Sequence, residues 1–198
     1  MKFYLKMALL PFVYLLFSAM IGLGVMLLDG EMLWLEIVLN ATNTIFYAII
    51  VSVAGFKDGQ KALRVREQND TFRQRIVKTG EDIPLNLHEE YTPWKGFLVG
   101  LISVAPIILL IAIHFLSNIG QAVPDNSVGM IAGVICMVVF GYVITTGSIT
   151  FGQYALVLLI VPFVCGFYGG SYIWGAKKEK VGYDEIRRTR RELHGDEN

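Results

Sequence analysis

Five apolar stretches, Tyr4–Leu28, Met32–Phe56, Trp94–Ile119, Val128–Thr146 and Gln153–Trp174, take up most of this 198-residue chain and constrain its fold more than any motif does. A helix rises about 1.5 Å per residue, so roughly 20 apolar residues cover about 30 Å of hydrocarbon. Each stretch comes close to that length. The sequence therefore reads as an all-α, polytopic helical integral membrane protein of about five transmembrane segments, with a re-entrant path open to one of them and a cytoplasmic helical connector between the second and third.

The hydrophobic fraction of 54% and the mean hydropathy of +0.53 support that class, since soluble domains average roughly 45–50% apolar residues. The formal net charge is zero, but Lys and Arg gather at the head, in the connector and in the tail. Four parts follow: a transmembrane hairpin over 1–56, a connector over 57–93 with an amphipathic basic helix, transmembrane segments three to five over 94–174, and a charged tail over 175–198. Lys2 and Lys6 followed by an apolar run look like a secretory signal, but the run continues to Leu28, well past a signal core of about 7–15 residues. The first segment is expected to remain as an uncleaved anchor.

The positive-inside rule sets the orientation. Eight Lys/Arg between Lys57 and Lys95, together with Lys2 and Lys6, place the N-terminus and the connector in the cytoplasm. The stretch EEYTPWKGFLVGL, Glu89–Leu101, resembles small bacterial membrane proteins without pointing to a named family or activity, so the expected location is a bacterial cytoplasmic membrane. The tail conflicts with this scheme. Five crossings put it outside, although it holds seven Lys/Arg. A re-entrant path over Val128–Gln153 would remove the conflict but must hide irregular backbone from lipid; the length of Val128–Trp174 favours five crossings.

Within the connector, KALRVREQNDTFRQRIVK holds no Pro or Gly and sets Val65, Phe72 and Ile76 on one face. This predicts a helix continuing from segment two and ending at Thr79-Gly80, where Gly commonly follows a helix end. Lys61, Arg64, Arg75 and Lys78 are its candidate contacts to a membrane surface or a protein partner. After an acidic, irregular EDIPLNLHEEY, Thr92-Pro93-Trp94 marks the start of segment three.

Segment two holds the least ordinary pattern. Glu36, Asn40, Asn43 and Tyr47 follow one another at spacings of four, three and four and so share a helical face, with Thr44 beside them. Polar groups at that depth face protein or a wet cavity. Two readings stay open: hydrogen-bonding glue between helices, and an intramembrane polar site that His114 joins from the third segment. Small residues spaced by four, at Ser18/Gly22, Gly96/Gly100, Gly129/Gly133 and Gly166/Gly170, mark candidate close helix approaches. Pro11, Pro106 and Pro162 are expected to kink their helices.

Chemistry of other kinds finds no support. Cys136 and Cys165 lie in separate apolar stretches as small hydrophobes, and His88-Glu89-Glu90 lacks a second His at helical ligand spacing. No cofactor, metal, nucleic-acid partner or catalytic residue is expected. The expected function is an accessory or scaffold subunit of a membrane complex, with the lipid bilayer and a protein partner or second copy as its contacts. The alternative is a small transporter or channel using the polar stripe of segment two.

Overall fold

The computed structural model describes residues 2–26, 33–117 and 158–194. They form four helices: α1 Lys2–Met26, α2 Leu33–Thr79, α3 Pro93–Ser117 and α4 Ile160–His194. The extensive contacts run α1 to α2, α2 to α4, α4 to α3 and α3 back to α1, so the helices close a four-membered ring. Its core joins Leu15 of α1, Tyr47 and Val51 of α2, Val99 and Ile107 of α3, and Ile160, Val164 and Tyr168 of α4.

Among the described residues no helix is long and apolar enough to cross a membrane. This overturns the expectation of a polytopic protein with about five transmembrane segments, and with it the integral-membrane localisation and the cytoplasmic N-terminus deduced from that topology. The physical reason is clearest in α2 and α4. The apolar part of α2 is diluted by Thr42, Asn43 and Thr44 and passes without a break into Lys57 and Asp58. In α4 only about five turns precede Lys177 and Lys178, and those turns carry Gly166, Gly169, Gly170 and Ser171. The runs Val128–Thr146 and the first part of Gln153–Trp174, the re-entrant alternative, Cys136 and the Gly129/Gly133 pair all lie outside the described residues.

Side-chain pairings fix the helix directions. Ser18 of α1 meets Asn43 of α2, while Phe3 and Met7 share a recess with Asp58 and Lys61, so α1 and α2 are antiparallel. Gly96 faces Gly169 and Tyr172, and Gly100 faces Cys165, so α3 and α4 are antiparallel too. By contrast Gly55 meets Tyr168, Gly59 meets Tyr172 and Arg64 meets Glu179, which makes α2 and α4 parallel. The tail therefore ends beside the connector, whereas five crossings would have put the two at opposite ends. The head, connector and tail bring their basic residues to one end of the bundle.

At that end α2 and α4 extend together as an arm. α2 is one helix of 47 residues and ends where Gly80 takes φ 70°, the left-handed conformation that glycine adopts without a Cβ penalty. The tail is likewise helical, forming the second half of a 35-residue α4. Pro162 falls in the first turn of α4, where its missing N–H costs no helical hydrogen bond. Arg64 pairs with Glu179 at 2.8 Å, and Arg187 pairs with Glu67, across the two halves of the arm.

The acidic segment after Gly80 also packs back onto α2. Buried Asn69 donates to the Asn86 carbonyl at 3.2 Å and accepts from the Asn86 N–H at 3.2 Å, while Arg73 binds Glu90 at 2.9 Å. The Tyr91 N–H reaches the Ala62 carbonyl at 3.1 Å. Lys95 then covers the join to α3 by donating to the carbonyls of His88 and Glu90. Burial pulls its ammonium pKa below the ordinary lysine value, with the charges of Glu90 and Glu89 opposing that shift.

Candidate functional site

The polar face of α2 meets α1 at Asn43, which is 7% exposed. Its side-chain N–H donates to the Ser18 carbonyl at 3.0 Å, and its side-chain oxygen accepts from the Ser18 hydroxyl at 3.1 Å. One turn later Tyr47 is fully buried, and its hydroxyl has no hydrogen-bond partner among the described residues. Burial in this apolar setting pushes the Tyr47 phenol pKa well up, so it stays protonated. Thr44 lies on the same turn and is half-buried. The side chains of Glu36, Asn40 and His114 lie outside the described residues, so the structure brings together only the Asn43–Tyr47 part of the expected stripe.

Beside this pair a groove of about 660 Å³ runs between α1 and α2, walled by Tyr14, Phe17, Phe46 and Ile50 with Thr42 and Asn43 at its polar edge. The Ser18–Asn43 pair satisfies two buried polar groups reciprocally, which is how an amide joins helices in apolar surroundings. Replacing Asn43 with Leu should therefore lower stability by about 1–3 kcal/mol, because the Ser18 hydroxyl loses its buried acceptor. Replacing Val38, on the exposed side of α2, with Leu should change stability by less than about 0.5 kcal/mol. Thermal unfolding of the full chain compares the two; equal melting points would mean that the amide is not a helix contact.

The four basic residues expected to form a contact face do not share one fate. Arg64 is taken up by Glu179, and Arg75 pairs with Glu81 at 3.3 Å. Lys61 and Lys78 are exposed, Lys61 lying beside Asp58. Part of the basic face is thus used inside the fold to join the connector to the tail.

The most chemically distinctive cluster sits where the apolar bundle meets the charged arm, and it centres on residues the sequence reading passed over. The fully buried Tyr168 of α4 donates to the Asp58 carboxylate of α2 at 2.5 Å. Burial pushes the Asp58 pKa above the ordinary carboxylate value, against the opposing effects of the Tyr168 hydrogen bond and the Lys61 charge. Tyr168 is driven the same way, first by burial and then by the carboxylate beside it. One turn along α4, Tyr172 stacks on Tyr91 with ring centroids 5.5 Å apart. Its buried hydroxyl lies near the Thr92 backbone without completing a hydrogen bond, and has no partner among the described residues.

A recess of about 30 Å³ borders Asp58 and Lys61, which is room for about one water molecule. Such a carboxyl can hold or release a proton next to a lysine. Among the described residues no group of His, Cys, Asp and Glu is placed to hold a metal ion. A sequence signal for the cluster did exist. Tyr168 and Tyr172 are spaced by four, as are Gly55 and Gly59, and the two pairs face each other. The glycine pair straddles the point where the apolar run gives way to charge. Compared with protein families, with curated proteins and with solved structures, the chain shows no match.

Proposed function

We propose that this protein is an accessory or scaffold subunit of a larger assembly, with the α2–α4 arm as its docking element. The observation that carries the reading is the outer surface of the arm. Val181, Ile186 and Leu193 are 66%, 59% and 76% exposed on a helix that is otherwise charged at this end, and Ile186 and Leu193, seven residues apart, share a face. The arm is also held in place by cross-helix ion pairs and by the loop folded onto Asn69. A partner binding it meets a preorganised surface and avoids an ordering cost.

The flank of the bundle supports the same reading. Among the described residues Leu9, Phe17, Met20, Ile45, Phe46 and Leu109 are exposed large apolar side chains, a surface that helices of a partner would cover. Asn43 and Ser18 satisfy each other, which favours a structural role for that pair over a solute path.

The test is gentle purification of the full chain with site-specific photocrosslinkers at Ile186 and Leu193. A stoichiometric protein that crosslinks there and is lost on Ile186→Glu or Leu193→Glu, but retained on Arg190→Glu, is the expected result. A partner retained in both glutamate variants, or lipid alone in the purified material, would overturn the proposal.

A further inference from the structure

We infer that the recess between α2 and α4 at the base of the arm binds a phosphate group, through Arg66, Lys177 and Lys180. The recess holds about 260 Å³ and is bounded by these three cations together with Leu63, Tyr91 and Ala176. It also includes Glu67 and Asp70, but both carboxylates are already engaged, Glu67 by Arg187 and Asp70 by Arg73 at 2.6 Å. Arg66, Lys177 and Lys180 have no ion-pair partner among the described residues, whereas Arg64, Arg73, Arg75, Arg187 and Arg188 each have one.

Cations without an ion-pair partner gathered around one concavity favour an anion there, because each gains a charge-assisted hydrogen bond that Glu67 and Asp70, engaged by Arg187 and Arg73, do not supply. The shape selects a compact ligand. Arg66 brings a planar fork from α2, the two lysines bring point charges from one turn of α4, and the Tyr91 hydroxyl lies within the field of Arg66. A phosphate with three acceptor oxygens can meet donors converging from two helices. An acidic peptide would need an open groove.

The phosphate has two sources, a lipid headgroup or a small soluble ester, and the position of the recess is compatible with both. It lies at the charged end, directly beyond the exposed apolar flank that ends at Trp174.

The test titrates the full chain, held in a neutral detergent, with dioctanoyl phosphatidic acid, dioctanoyl phosphatidylcholine, glycerol phosphate and inorganic phosphate, following binding by calorimetry. Saturable binding of phosphatidic acid that glycerol phosphate and inorganic phosphate fail to displace assigns a lipid headgroup. Displacement by either assigns a soluble phosphate. In both cases the combined Arg66→Gln, Lys177→Gln, Lys180→Gln variant should bind at least about tenfold more weakly, while Lys78→Gln, Arg190→Gln, Arg191→Gln, which removes the same charge elsewhere on the arm, should bind within about twofold of the parent. Arg66→Lys, which keeps the charge, should retain most of the binding and guards against a folding defect. The inference falls if no phosphate-bearing compound binds, if phosphatidylcholine binds as tightly as phosphatidic acid, or if the two triple variants lose affinity equally.

Discussion

Valine at Gly59 or Gly175 should destabilise the bundle by about 3 kcal/mol or more, at the upper end of the range for overpacking. A Cβ at Gly59 would run into the Tyr172 carbonyl, and one at Gly175 into the Phe56 carbonyl, both far inside van der Waals contact. The obstacle in each case is the backbone of the facing helix, which cannot swing aside as a side chain does. Relief requires α2 and α4 to separate, breaking the contact that also carries Arg64–Glu179 and Asp58–Tyr168. Gly166 and Gly170 are the internal controls, because a Cβ there meets nothing within 4 Å among the described residues. Alanine at either should be neutral or should stabilise by about 0.5–1 kcal/mol through helix propensity. Thermal unfolding of the four variants decides the matter: a Gly59→Val protein that melts with the parent would show that α2 and α4 do not cross there.

The second large effect is expected at Asp58, and it depends on pH. A carboxyl whose folded pKa is raised binds its proton more tightly in the folded chain than in the unfolded one. Its favourable contribution is present in full at low pH and is lost as the pH rises from the ordinary value of 3.8 through the raised folded value. Asp58→Asn should remove that slope, and near pH 7 it should match or exceed the parent in stability, since the amide oxygen still accepts from Tyr168 without a buried charge. Tyr168→Phe should do the opposite, costing about 1.5–3 kcal/mol near pH 7, where it strips a partly buried carboxylate of its donor, and less well below the ordinary value of 3.8, near pH ~2.5, where a carboxyl with a raised pKa is protonated. Denaturant unfolding at the two pH values measures both variants. A Tyr168→Phe penalty that is the same at both would mean that the pair is not charge-assisted.

Local structure could be read from the residues where local energetics governs it. The Pro- and Gly-free run after Gly59 continues α2, Gly80 ends it, and Thr92-Pro93 opens α3, because caps and propensities act within one turn. The same reasoning placed Asn43 and Tyr47 on one face, and the structure turns both toward neighbouring helices. Reading further from run length alone led to membrane crossings that the described helices do not support, since length measures neither where charge enters a helix nor which residues dilute it.

Which side chains meet was not a local property. Gly166 and Gly170 carry the same spacing as Gly96 and Gly100, yet the second pair packs against α4 and the first meets none of the described residues. Only the rotation of each helix within the ring separates the two cases. Likewise Arg64 and Arg66 are near neighbours in one basic run, but the parallel course of α2 and α4 gives Arg64 to Glu179 and leaves Arg66 beside Lys177 and Lys180. The chain itself determined that this protein is built of long helices with its charge gathered at the head, connector and tail, because hydrophobic spacing and capping are written residue by residue. The tertiary structure alone decided that these charged parts share one end and that half-buried Asp58 accepts from Tyr168, because helix direction and crossing bring together residues more than a hundred positions apart.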